Sequence, residues 1–326
     1  MSSSAKTAGI LSSRHNRQML VKRKSEVIFA YIFLAAIVLF AVLSANKFVS
    51  MRNLRNLLSA NIGLLLVAYG QLCCVLLGGV DLSTGSVISL TNVICVTLIN
   101  DNPTTWVMAA VLSLLSGLSI GLINGLLVTK GNLQPLIATL ATQTFFAGVA
   151  LLIMPNPTGT LPSKLCKFIS KGCNYLIPIL IAAAASVVMW LIINRRKFGR
   201  AMLAIGGNEQ SARSSGINVD RTKIKAFMLC GFMAALAGLY ISAYTTSGSP
   251  IVGEAYTQKS INAAVVGGAS LAGGKGSVVG CIAAVLILGI ISNLLNLKGV
   301  SSYYQYVFQG LLLIIALSVS AIRSKR

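Results

Sequence analysis

Long apolar runs alternate with short blocks of lysine and arginine along the chain, and this alternation constrains the fold more than any other feature. The runs fall near residues 27–45, 56–77, 86–99, 105–129, 133–154, 175–193, 223–245, 258–273, 276–297 and 303–322. A membrane-spanning helix needs about 20 apolar residues, and most of the runs approach that length. Only 10% of the 326 residues are charged, 55% are hydrophobic, and the mean hydropathy is +0.81. A water-soluble chain of this size exposes far more charge. The expectation is an all-α, polytopic membrane helix bundle of about ten transmembrane helices. Runs 86–99 and 258–273 are short for a bilayer. Such segments are tolerated only where protein or a cavity covers their backbone, so both are expected inside the bundle.

The charge balance, 27 Lys and Arg against 6 Asp and Glu, suggests nucleic acid at first sight. The bases gather between apolar runs instead of along one face, which is the signature of membrane topology. Nucleic-acid binding is therefore set aside, and the lipid bilayer is the first partner. Six bases lie in the polar start, eight between 195 and 225, and Arg323, Lys325 and Arg326 at the end. All three blocks are expected on the cytoplasmic side of the membrane. Ten crossings satisfy that parity; eight crossings plus a re-entrant hairpin at 258–297 is the alternative. The division expected is a cytoplasmic tail over 1–26, a transmembrane domain over 27–322 and a short cytoplasmic tail over 323–326. No small-residue cleavage site closes the run 27–45, so it reads as a retained first helix. "GLINGLLVTKG" (121–131) and "GIISNLLNLKG" (289–299) share their spacing of Gly, Ile, Leu-Leu and Lys-Gly. They fall on the fourth and ninth runs, as a five-plus-five inverted repeat of the transporter kind requires; chance similarity of Gly- and Leu-rich helices is the other reading.

Catalytic and metal chemistry find little support. The only histidine, His15, sits in the polar start, and Cys73, Cys74, Cys95, Cys230 and Cys281 fall in apolar runs, where thiols behave as small hydrophobes. No metal ligand set and no catalytic residue is assigned. Cys166 and Cys173 share the expected outer loop 155–174, where a disulfide is one possibility and free thiols the other. "GGASLAGGKGS" (267–277) approaches a phosphate loop, but Lys275 precedes a glycine and Ala269 stands where the first glycine belongs. Close helix packing by small residues explains it better, and no ATPase site is expected in this chain.

Within "GGVDLSTGS" (78–86), Asp81 is the only acid in the apolar block. Asp81 or Ser83 can cap the next helix; the same residues can form a polar hinge beside a passage, since an ionisable group at membrane depth is costly. Asn61, Gln71, Asn92, Asn124, Gln143, Asn262, Asn293 and Gln309 lie in runs as neutral polar groups. They bond between helices or line a route for a hydroxyl-rich solute. Without further buried acids or histidines, a proton- or ion-coupled secondary carrier is disfavoured and the energy is expected from outside the chain. Lys164, Lys167 and Lys171, on the outer loop, are candidates for docking an acidic partner.

The longest polar interruption is "KFGRAMLAIGGNEQSARSSGINVDRTKIK" (197–225). Asn208 can cap a short helix, Glu209 suits its first turn, and Gly216 can end it. Glu209 and Arg213, four apart, can pair, while Gly207, Ala212, Ser215 and Gly216 allow close approach. A short capped helix held between two anchored spans suits docking to another protein; an ordinary solvated loop is the plain alternative.

"GGVDLSTGS", "LIATLATQ" (136–143), "FGRAMLAIGGNEQSARSSGINV" (198–219), "VVGGASLAGGKGSVVG" (265–280) and "GVSSYYQ" (299–305) resemble, in the same order, the permease subunits of ribose-type ATP-binding-cassette sugar importers. The resemblance covers about residues 27–322. It implies two permeases (identical or paralogous), cytoplasmic ATPase subunits that bind the ATP, and an external sugar-binding protein, with no cofactor held by this chain. By position the family's coupling segment falls on Gly206 to Ile217: Gly206, Gly207, Asn208, Glu209, Ala212, Arg213, Ser215, Gly216 and Ile217. Related permeases serve autoinducers and nucleosides. The family's acidic, Glu-Leu-Asp-like stretch is absent; "YTQKSINAA" (256–264) places Thr257, Lys259 and Asn262 there.

Overall fold

The computed structural model describes residues 28–99 and 103–301, then 303–305, 307–308, 310–311 and 314; the side chains of 103, 173 and 174 lie outside the described set. So do the two tails, His15 and most of the tenth run. The described chain is almost wholly helical. Helices α1 (Ile28–Ser44) and α2 (Met51–Leu76) are followed by α3 (Thr84–Ile99), α4 (Trp106–Thr129) and α5 (Pro135–Ile153). Then come α6 (Ser163–Trp190), α7 (Lys197–Gly207), α8 (Glu209–Ser214), α9 (Val219–Thr245), α10 (Glu254–Val266) and α11 (Val278–Leu297). Strands β1 (Thr158–Thr160) and β2 (Ser247–Gly248) pair antiparallel and clip two loops together.

Local sequence sets the helix ends. Ser50 Oγ accepts from Asn53 N–H at the start of α2, Asn218 Oδ1 from Arg221 N–H at α9, and Ser277 Oγ from Gly280 N–H at α11. Pro135 opens α5, where its missing N–H costs nothing. Gly78, at φ +78°, stops α2, because a residue with a Cβ resists the left-handed conformation.

Among the described residues, six segments are long and apolar enough to cross a membrane: α2, α4, α5, residues 175–195 of α6 and its π turn, α9 and α11. Helices α2 and α9 form the centre: 83% of the α2 window is buried, against 17% for 175–195. Helix α4 packs on α9 through Gly117, Gly121 and Gly125. A Cβ on Gly117 or Gly121 would overlap the carbonyl of Gly231 or Phe227, so the four-residue glycine spacing is what lets the two backbones touch.

The short run 86–99 is α3, buried along nearly its whole length, as its deficit in length requires. The other short run corrects the sequence reading. Helix α10 ends at Val266, and 267–277 is a loop with Gly268, Gly273 and Gly274 at positive φ. Small apolar residues carry the hydropathy past the point where glycines stop the helix. The outer loop also differs from expectation, since α6 begins at Ser163 inside it. The helix bends at Tyr175, whose φ is +73°, before continuing as the spanning segment. Cys166 there is a buried free thiol, and the side chain of Cys173 is outside the described residues.

Candidate functional site

The polar interruption 197–225 folds as α7, α8 and the start of α9. Asn208 Oδ1 accepts from Ser211 N–H at 2.8 Å, placing the cap where the sequence suggested. Gly216, at φ +81°, ends α8: its N–H donates to Arg213 O, and Ile217 N–H donates to Ala212 O. The outward face carries Glu209 and Arg213, paired at 3.6 Å, with Arg213 also 3.2 Å from Asp220 and Glu209 2.7 Å from Lys223 Nζ. Gly207, Asn208, Gln210, Ser214, Ser215 and Gly216 are exposed beside them.

Ala212 departs from that face. It is buried, packed with Ile205, Val219, Ile217 and Leu77, so it anchors α8 to the body instead of offering a contact surface. Gly206 is walled in as well. A Cβ there would overlap Leu76 O and Gly274 N, and Gly274 N–H donates to Leu76 O at 2.9 Å. The loop 267–277 thus uses its glycines to bring backbone against α7 and the end of α2. The close approach expected of its small residues is present, in a loop and not between helices.

The turn 77–83 joins this junction to a buried polar chain. Ser83 N–H and Oγ–H donate to Asp81 Oδ1 at 2.9 and 2.6 Å. Asn124 Nδ2 donates to Ser83 Oγ at 2.8 Å, and Thr142 Oγ1 donates to Asn124 Oδ1 at 2.7 Å. Gln71, in the amide orientation that satisfies both its atoms, exchanges two hydrogen bonds with the Asp81 backbone. Asp81, Ser83, Asn124 and Gln71 are all fully or nearly fully buried. The chain therefore ties α2, α4 and α5 to one turn. The carboxyl group of Asp81 orders the turn that opens α3.

The other polar candidates do not converge on one cavity. Asn92 donates to Ser242 Oγ and Ser247 O and accepts from Ser249 N–H, fixing the far end of α9. Asn293 and Asn53 exchange reciprocal amide bonds at 2.9 and 3.0 Å. Asn61 donates to Leu57 O and sits against Gly289 of α11. Asn262 is buried in α10, and Gln143 is half-buried on α5. Lys164, Lys167 and Lys171 are exposed on the first part of α6, which Ser59, Asn56 and Arg55 hold at the start of α2. That is toward the opposite end of α2 from α8: at 1.5 Å per residue, Ser59 lies about 27 Å along the helix from Leu77, which packs on Ala212.

Two features were missed by sequence reasoning. Thr142 completes the buried chain, and Cys74, Cys230 and a carboxylate oxygen of Asp81 lie within 4.8 Å of one another. Residues so distant in sequence meet through helix packing, which no local pattern reveals.

This arrangement is a helical bundle with the lengths and hydropathy of membrane spans and a short capped helix propped against its end. The profile of the family described as "Branched-chain amino acid transport system / permease component" matches residues 53–317. The chain is 37% identical over 293 residues to the ribose import permease protein RbsC of Haemophilus influenzae, covering 87% of this chain and 90% of that one. It is 39% identical over 255 residues to RbsC of Bacillus subtilis, covering 77% and 79%. The L-arabinose transport system permease protein AraH of Escherichia coli is 36% identical over 303 residues, covering 92% and 90%. The chain belongs to this family, as a monosaccharide-type ATP-binding-cassette importer permease and a multi-pass inner-membrane protein. No solved structure matches it.

Proposed function

We propose that the chain is the translocating subunit for a small neutral sugar, a ribose-like monosaccharide, moved inward by alternating access. Separate ATPase subunits bind and hydrolyse the ATP, an external binding protein delivers the sugar, and a second permease copy or paralogue completes the passage. This chain supplies no ATPase site and holds no cofactor.

Helix α8 carries the reading. It is a capped, charged helix whose outer face is solvent-exposed and whose inner face is locked to the bundle by Ala212. A mere solvated loop needs no such backing, whereas a helix that receives force does. Ribose and arabinose in the relatives' names favour a monosaccharide. Ten crossings follow if α1, α3, α10 and the run 303–322 join the six long helices. The five-plus-five arrangement draws support from packing: α3 and α4 lie on α9 as α10 and α11 lie on α2. Under that arrangement α7 and α8 face the cytoplasm and the lysines of α6 face outward.

The test is radiolabelled uptake into proteoliposomes holding the chain, its ATPase and its binding protein. The panel contains ribose, arabinose, allose, a nucleoside and an autoinducer. ATP-dependent uptake of a pentose or hexose is expected, and it should disappear in Gln210→Trp and Ser214→Trp, both on the exposed face of α8. Uptake that ignores ATP and follows an ion gradient would establish the secondary carrier instead, and preference for the nucleoside or autoinducer would move the substrate.

A further inference from the structure

Three segments far apart in sequence meet at one point with no side chain between them. The end of α7 contributes Gly206, the end of α2 contributes Leu76 to Gly78, and the loop before α11 contributes Ala272 to Gly274. Gly274 N–H donates to Leu76 O at 2.9 Å. A Cβ on Gly206 would overlap Leu76 O; one on Gly274 would lie 2.9 Å from Gly207 N, and one on Gly78 3.2 Å from Ala272 O. Gly78, Gly273 and Gly274 all stand at positive φ, between +73° and +88°. Three residues beyond Gly206, α8 begins. Three residues beyond Gly78 is Asp81, the root of the chain Asp81–Ser83–Asn124–Thr142. Three residues beyond Gly274 is Ser277, the cap of α11.

We propose that Gly206, Gly78 and Gly274 are positioning residues for transport, forming a direct backbone joint that transmits displacement of α8 to both halves of the bundle. Side chains flex by rotating among staggered wells, so a contact made through them absorbs small movements. Backbone packed on backbone has no such slack. Displacement of α8 therefore reaches α2 through Leu76, and passes along the buried polar chain to α4 and α5. It reaches α11 through the loop 272–277. A joint that couples two sites in this way carries a coupling free energy, and loosening it separates the events without abolishing either. The inference rests on the ATP-driven reading above and names the residues through which that drive passes.

The experiment measures the coupling ratio, ATP hydrolysed per sugar imported, in the reconstituted complex of full-length chain, ATPase and binding protein. Gly206→Ala, Gly274→Ala and Gly78→Ala are compared with wild type and with Gly148→Ala, whose Cβ meets nothing within 4 Å. All four leave the exposed face of α8 unaltered, so ATPase association should remain. The ratio should rise in the order of overlap, Gly206 above Gly274 above Gly78, and by about tenfold for the first. Gly148→Ala should match wild type. If Gly206→Ala does not assemble, Gly274→Ala and Gly78→Ala decide the matter. A glycine needed only for folding would lower the yield and thermal stability of the complex, while whatever assembles keeps the wild-type ratio. Normal ratios in the assembled variants overturn the joint while leaving the ATP-driven reading intact. Failure of the wild-type chain to couple to any ATPase removes that reading, and the joint with it.

Discussion

Two polar regions of this molecule are built on opposite terms. The cluster on α8 and α9 pairs full charges in the open: Arg213 and Glu209 side chains are 58% and 46% exposed. The chain from Asp81 to Thr142 hides one carboxylate and several neutral groups, all buried, with no base in ion-pair range among the described residues. Exposed ion pairs are screened by water and contribute little to stability, which leaves them available to a partner. Ser83 donates both its N–H and its Oγ–H to one oxygen of the buried Asp81 carboxyl, and groups bonded in this way lose their freedom to move independently. The first region is suited to being touched and the second to being moved as a unit.

The strongest challenge to this contrast is Asn124→Leu. The substitution keeps the shape and removes both the donor to Ser83 and the acceptor from Thr142. Loss of these buried bonds should cost about 2–3 kcal/mol, read as a fall in thermal stability of the purified protein in detergent. A change within about 0.5 kcal/mol, the range of an ordinary surface substitution, would mean the buried chain is ornamental.

Next in size is Ala212→Trp. Ala212 faces Leu77 and Val219, so a bulky side chain overfills an internal contact and should cost about 1–3 kcal/mol. The damage should be local, seen as new protease sensitivity within 206–217 while the spanning helices stay protected. Equal sensitivity of wild type and variant would place Ala212 on the outside after all.

Smaller still is the double change Glu209→Gln with Arg213→Gln. Each exposed pair contributes at most about 0.5 kcal/mol, so stability should hardly move. Association with the ATPase should nevertheless weaken, most at low salt, where charge steering is strongest. Unchanged association at every salt concentration would strip the charged face of its role.

What was legible in the sequence follows the same division. The cap at Asn208, the stop at Gly216 and the pair Glu209–Arg213 were readable because each depends on residues within a few positions. Run 133–154 became Pro135–Ile153 for the same reason, its ends being marked by proline and by the end of apolar residues. The inward turn of Ala212 was not readable, since it depends on Leu77, 135 positions earlier. Nor was the meeting of Asp81 with Cys74 and Cys230, or of Ser83 with Asn124, which arises when α2, α4 and α9 pack. The extension of run 258–273 failed on a local cue, for Gly267 and Gly268 stop α10 although hydropathy continues. The amphipathic start of α6 was passed over because its three lysines read as loop. Buried Cys166 and Ser170 alternate there with exposed Lys167, Phe168 and Lys171 at helical spacing.

That helical start holds the smallest expected effect on the fold. Lys164, Lys167 and Lys171 project from α6 at the end of α2 remote from α8, and none of the ion pairs among the described residues involves them. The backbone beneath them is firmly held: Ser59 Oγ donates to Ser170 O at 2.7 Å, and Tyr175 OH donates to Asn56 Oδ1 at 3.2 Å. Replacing all three with Gln should therefore leave stability within about 0.5 kcal/mol of wild type. If this end receives the sugar-binding protein, three unpaired positive charges on a fixed helix raise the encounter rate with an acidic partner. The triple variant should then bind the loaded protein more slowly at low ionic strength, and the difference should shrink once the screening length falls to about 8 Å at physiological salt. Dissociation, governed by close contacts elsewhere, should change little. Surface plasmon resonance over a salt series distinguishes the outcomes. An association rate and salt slope equal to wild type would show that these charges take no part in docking, and would leave α8 as the charged docking candidate among the described residues.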